Sequence, residues 1–143
     1  MPARTLLLPL TTNDFDTVAA LAADSEAESC LKTKVWEAYS DGWSMRSLAP
    51  TDIAPGSMKV WKVTALASRQ YKVLGCADAR VKNLDLVVYN DKGVVVARDS
   101  TVDRQPAVEL TPPKSGTYYV VAQARTVDGG DAPVDVAVAV IWK

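Results

Sequence analysis

Histidine is absent from this chain. That removes Ser-His-Asp and Cys-His nucleophilic arrangements and His-ligated zinc together. It also removes the side chain best suited to moving a proton near neutral pH. Cysteine occurs only twice, at Cys30 and Cys76, too few for an all-thiolate zinc site. The two leave a choice open: one disulfide, which would suit an exported protein, or two buried free thiols, since unpaired cysteine is among the most buried residue types. An excess of one charge sign is lacking too. The 16 basic residues are scattered among 17 acidic ones, for a net charge of −1. No Lys/Arg stripe is available to neutralise phosphates, so no nucleic-acid partner is expected. No run approaches the ~18 apolar residues of a membrane helix, so no membrane span is expected either. Leu6-Leu7-Leu8 after Arg4 imitates a signal peptide but is short and is broken by Pro9. The compartment then turns on Met1: periplasmic or extracellular if it precedes a mature exported chain, cytoplasmic if it is the native start. No Gly-rich phosphate loop is present, and Ser115-Gly116-Thr117 is turn chemistry with no G-x-S-x-G elbow around it.

What the chain does have is an ordinary globular composition, 48% hydrophobic and 23% charged over 143 residues. That is enough for one domain with its own core. Residues 5–10 form an apolar segment interrupted by proline, which reads as an edge strand or as an arm adding to a neighbour's sheet. Residues 12–40 look helical: Phe15, Val18, Leu21 and Ala22, then Ala27, Cys30, Leu31, Val35 and Tyr39, recur at helical spacing. Ser25 is placed to cap a second helix and Gly42 to stop it. Residues 43–56, with Pro50 and Pro55, read as a linker packed on the sandwich, and of the four tryptophans Trp43 within it is the one most open to exposure.

Beyond Gly56 the period changes to two. Strands are expected over residues 58–66, 70–75, 84–89, 94–97, 107–110, 117–124 and 134–142. Asn90-Asp91-Lys92-Gly93 makes a hairpin turn between the third and fourth of these. Val134, Val136, Val138 and Val140 alternate with Asp135, Ala137 and Ala139, the pattern of a half-buried strand. The expected architecture is α+β and mainly β: an N-terminal arm, helical segment and linker over 1–56, then an antiparallel, jelly-roll-like β-sandwich over 57–143.

Several of these elements occur in a familiar order. Tyr71-Lys72-Val73-Leu74-Gly75-Cys76-Ala77-Asp78 is followed by Asn83-Leu84-Asp85-Leu86, then Gly93, Asp99, Asp103, Pro106, Pro112, Gly116 and Tyr118. Over about residues 57–141 the sequence resembles the bacterial pre-peptidase C-terminal domain and related small secreted proteins of unknown function. The resemblance implies a jelly-roll-like sandwich, export, and a non-catalytic role in secretion, substrate binding or assembly. It also implies calcium held by loop aspartates in some members. Two positions depart from the pattern: Asp128-Gly129-Gly130-Asp131 stands where the small relatives carry further cysteines, and Asn83 replaces the first aspartate of the motif.

Asp78, Asp85, Asp99 and Asp103 are accordingly the candidate metal ligands, since calcium takes six to eight oxygens from carboxylates and loop carbonyls. The competing reading is that such aspartates cap turns by accepting backbone hydrogen bonds. Asp85 stands inside an apolar strand and, if turned inward, needs a partner such as Arg80, Arg98 or a backbone N–H. Trp36, Trp43, Trp61 and Trp142 form either a carbohydrate-stacking platform or ordinary packing. The polar face of the helical segment mixes both charge signs, unlike a lipid-binding face. The resulting expectation is a non-catalytic, exported accessory or binding module with a protein partner or a carbohydrate, with or without calcium. The alternative is a structural subunit of an extracellular assembly joined through Leu6, Leu7, Leu8 and Leu10. A hydrolase using paired carboxylates comes third.

Overall fold

Ser25 opens the described part of the chain by capping a helix: its Oγ accepts from the Glu28 N–H at 3.1 Å. The computed structural model describes residues 25–143. The expected arm with Leu6, Leu7, Leu8 and Leu10, and the first half of the helical segment, lie outside the described residues. Helix α1 runs Glu26–Tyr39. Gly42, with φ of +90°, turns the chain beyond it, and the Trp43 N–H returns to the Ala38 carbonyl at 3.1 Å.

Eight strands follow: β1 Ser44–Ile53, β2 Met58–Ala65, β3 Tyr71–Ala77, β4 Val81–Tyr89, β5 Val95–Asp99, β6 Ala107–Leu110, β7 Gly116–Val127 and β8 Val134–Trp142. They form two four-stranded sheets, β1-β8-β3-β6 and β2-β7-β4-β5. Every pairing is antiparallel. Consecutive strands mostly alternate between the sheets, which is the strand order of an eight-stranded jelly roll. The fold is therefore α+β and mainly β.

The main core lies between the sheets. Tyr71 and Val73 from β3, Leu84, Leu86 and Val88 from β4, Val120 and Ala122 from β7, and the four even-numbered valines of β8 are all buried in it. Gly75 is required there: a Cβ would come within 3.2 Å of Pro106 Cγ and 3.3 Å of Leu84 Cδ2. A second core forms on the outer face of the first sheet. Ala27, Leu31 and Val35 of α1, four residues apart, pack on Leu74, Cys76, Ala137, Ala139 and Ile141. The small alanines of β8 let the helix sit close to the sheet.

Two expectations are corrected here. The segment taken for a linker is mostly β1, a ten-residue strand paired with β8, so the sandwich begins at Ser44 and not at residue 57. Pro50 is tolerated because β1 is the outermost strand of its sheet and needs ladder hydrogen bonds on one side only. Strand β8 is buried on both faces and not half-buried, because α1 covers the Ala137, Ala139 and Ile141 side. Trp43 is packed, in line with the favoured reading: it is 8% exposed, with the Lys72 and Lys143 ammonium groups 4.8 and 4.9 Å from its ring centroid. The exposed tryptophan is Trp36, at 74%.

Cys30 of α1 and Cys76 of β3 form a disulfide, with 6.1 Å between their Cα atoms. It ties the helix to the first sheet in the middle of the second core.

Candidate functional site

The two sheets differ in what lies over them. Helix α1 covers β8, β3 and β1 of the first sheet. Among the described residues no element packs on the outer face of the second sheet. Period-two alternation decides which side chains reach that face. In β4, Leu84, Leu86 and Val88 turn to the core, leaving Asp85, Val87 and Tyr89 outward. In β7, Tyr118, Val120 and Ala122 turn inward, leaving Tyr119, Val121 and Gln123 outward.

Strand register arranges these outward residues in rows. Met58, Gln123 and Asp85 form one row, Val60, Val121, Val87 and Arg98 the next, and Lys62, Tyr119 and Tyr89 the third. The middle of the face is thus apolar and its borders are polar. Between β2, β7, β4 and the end of β5 the surface dips into an open groove of about 640 Å³. Asn83, Asp85, Gln123 and Arg125 line one side, Arg98 and Ser100 another, and Val87 and Val121 lie between them.

Asp85 is the chemically distinctive residue of the groove, only 8% exposed. Its Oδ2 meets the Arg125 Nε at 3.4 Å, and its Oδ1 has no hydrogen-bond partner. The nearby Asn83 Oδ1 is likewise buried and unpartnered. The partner is neither of the arginines expected from the sequence. Arg80 is committed elsewhere: its guanidinium donates to the carbonyls of Asp128, Gly129, Gly130 and Pro133 and fixes the loop before β8. Arg98 lines the same groove without pairing to Asp85.

The other three candidate ligands hold loops. Asp78 accepts from the Arg80 N–H at 2.8 Å and the Asp135 N–H at 2.9 Å. Asp135 in turn accepts from the Ala27 N–H at 3.0 Å, so this pair seats the N-terminus of α1 on the sheet. Asp103 accepts from the Gln105 N–H. Asp99 accepts from the Thr101 N–H, the Thr101 hydroxyl and the Ala107 N–H. Burial alone would raise the Asp99 pKa, but the Ala107 and Thr101 hydrogen bonds outweigh it and hold the carboxyl below its ordinary value.

Glu26 at the start of α1 links the loop before β4 to the loop before β6. Glu26 accepts from the Ala79 N–H at 3.3 Å and pairs with Arg104 at 3.7 Å. Among the described residues, no three acidic, cysteine or histidine side chains are grouped to hold a metal ion. Nor do the four tryptophans share a platform. Trp61 and Trp142 pack against the main core, Trp43 belongs to the second core, and Trp36 stands on the exposed side of α1 against Tyr39.

No local stretch of the sequence marks the groove, because its residues come from four strands. The available signal was alternation: Asn83, Asp85, Val87 and Tyr89 fall on one face of their strand, as do Tyr119, Val121, Gln123 and Arg125 on theirs.

No protein-family model matches the sequence, and no curated protein matches it. The fold is similar to the crystal structure of Aeromonas hydrophila PliG, a periplasmic lysozyme inhibitor of g-type lysozyme. The TM-score is 0.52 at 16% identity, over 68% of this chain and 85% of that one. At that identity the likeness is one of fold.

Proposed function

We propose that this chain is an exported, non-catalytic module that binds a protein through the open face of its second sheet. The observation that carries the reading is the asymmetry of the sandwich. One outer face is sealed by a disulfide-tied helix, while the other leaves Met58, Val60, Val87 and Val121 in contiguous rows bordered by Lys62, Arg98 and Arg125. An apolar patch with a charged rim is the anatomy of a protein-docking surface.

Three further points support the reading. A disulfide suits an oxidising compartment. Asp85 is the only carboxylate among the described residues that line the groove, and two-carboxylate hydrolysis needs a second. A protein of similar fold is a periplasmic inhibitor of another protein. The role implied by the pre-peptidase C-terminal resemblance points the same way. Binding to g-type lysozyme, measured by calorimetry and by inhibition of its activity, is the first test. Val121→Glu places a charge in the middle of the apolar rows and is expected to abolish binding while leaving the melting temperature nearly unchanged.

A further inference from the structure

The groove carries unmatched groups of both kinds. Asn83 Oδ1 and Asp85 Oδ1 are buried acceptors without donors, and the Asp85 side chain is only 11% exposed. A buried acceptor left unmatched is costly, so such an atom marks a place where something else belongs. On the other side, the Arg98 guanidinium has no hydrogen-bond or ion-pair partner among the described residues. Arg125 reaches Asp85 only at 3.4 Å and Gln123 Oε1 at 3.5 Å, from a side chain 54% exposed and free to swing.

These groups define their ligand. The groove carries both signs, one carboxylate against two guanidiniums, so a simple cation meets the arginines and a simple anion meets the buried, unmatched oxygen of Asp85. The fitting molecule is neutral, donates to two oxygens, accepts from guanidinium N–H groups, and has an apolar side to lie on Val87, Val121 and the Tyr89 ring. Vicinal hydroxyls on a pyranose ring do all of this. One hydroxyl donates to the carboxylate, its neighbour accepts from an arginine, and the C–H face covers the valines. The volume of about 640 Å³ lies within the ~300–1,000 Å³ of ordinary ligand sites.

We propose that the groove of the second sheet binds a short neutral oligosaccharide, with Asn83 and Asp85 as acceptors and Arg98 and Arg125 as donors. This rests on the open face being the binding surface and adds a ligand at its polar end. This places the carbohydrate away from the tryptophans, for which packing and a stacking platform were the two readings.

The test is an amide-shift titration of the isotope-labelled full chain with maltotriose, cellotriose and chitotriose. At least one sugar is expected to shift Asn83, Asp85, Val87, Gln123 and Arg125 saturably while the α1 amides stay still. Asp85→Asn, which keeps the side-chain shape, weakens the affinity about tenfold. Arg98→Ala, at an exposed rim position, weakens it about threefold or more. No shift with any of the sugars, or shifts that survive both substitutions, overturns the proposal. Calorimetry with g-type lysozyme on the same samples separates the two readings. Lysozyme binding without sugar shifts removes the saccharide site and leaves the docking reading intact; sugar shifts without lysozyme binding do the reverse.

Discussion

Asp85 and Arg125 meet at 3.4 Å on the one outer sheet face that no described element covers. The pairing is unequal, because the aspartate is buried, the arginine is largely in solvent, and the second carboxylate oxygen is unmatched. Buried carboxylates with a single, solvent-exposed partner can often be replaced by apolar residues of similar volume without loss of stability. Asp85→Val, a β-branched replacement in a strand, is therefore expected to raise folding stability by about 1 kcal/mol in urea denaturation. The same variant should lose saccharide binding. A clear loss of stability would mean that the carboxylate serves the fold.

The disulfide closes a loop of 46 residues between α1 and β3. Chain-entropy reasoning assigns such a loop about 4 kcal/mol. Replacing Cys30 and Cys76 by serine and alanine should lower stability by about 2–4 kcal/mol. Hydrogen exchange should then show early loss of protection in α1, with β4 and β7 still protected. Uniform loss across both sheets would show that the helix is not a separable layer.

Acid should act through Asp99. Its folded-state pKa lies below the ordinary value because the Ala107 and Thr101 hydrogen bonds outweigh the effect of burial. Its contribution is thus fully present above the unfolded value of about 4 and is lost as pH falls through the lower folded value. Stability followed by circular dichroism should drop on acidification below about pH 4, and Asp99→Asn should flatten that drop. An unchanged acid limb in the variant would remove this residue from the explanation.

Calcium is expected to leave the melting temperature unchanged, with and without a chelator. Asp78, Asp99 and Asp103 already accept backbone hydrogen bonds that hold their loops. A binding ion would stabilise the folded state by mass action. A saturable rise in melting temperature, abolished by EGTA, would restore the metal reading for these aspartates.

Much of the fold was legible because local pattern and final environment agree. The strands expected over 107–110 and 134–142 have those bounds in the structure. The Asn90 turn behaves as its chemistry suggests, with Asn90 Oδ1 accepting from the Lys92 and Val94 N–H groups. Strand β1 was hidden by Pro50 and Pro55, whose linker signal is overridden where an edge strand needs pairing on one side only. The double burial of β8 was hidden because alanine is neutral in pattern reading; only the helix lying on Ala137 and Ala139 shows why the residues are small. For the candidate site, Asp85 stood out as a charge in an apolar strand. Its partner Arg125, forty positions away, follows from the β4–β7 register, which no local signal encodes.

The most direct measurement is calorimetric titration of g-type lysozyme into the unmodified chain, into Val121→Glu on the open face, and into Glu37→Lys on the exposed side of α1. The account predicts saturable binding by the unmodified chain and by Glu37→Lys, and none by Val121→Glu at an unchanged melting temperature. Binding that survives Val121→Glu, or an unmodified chain that does not bind, would contradict it.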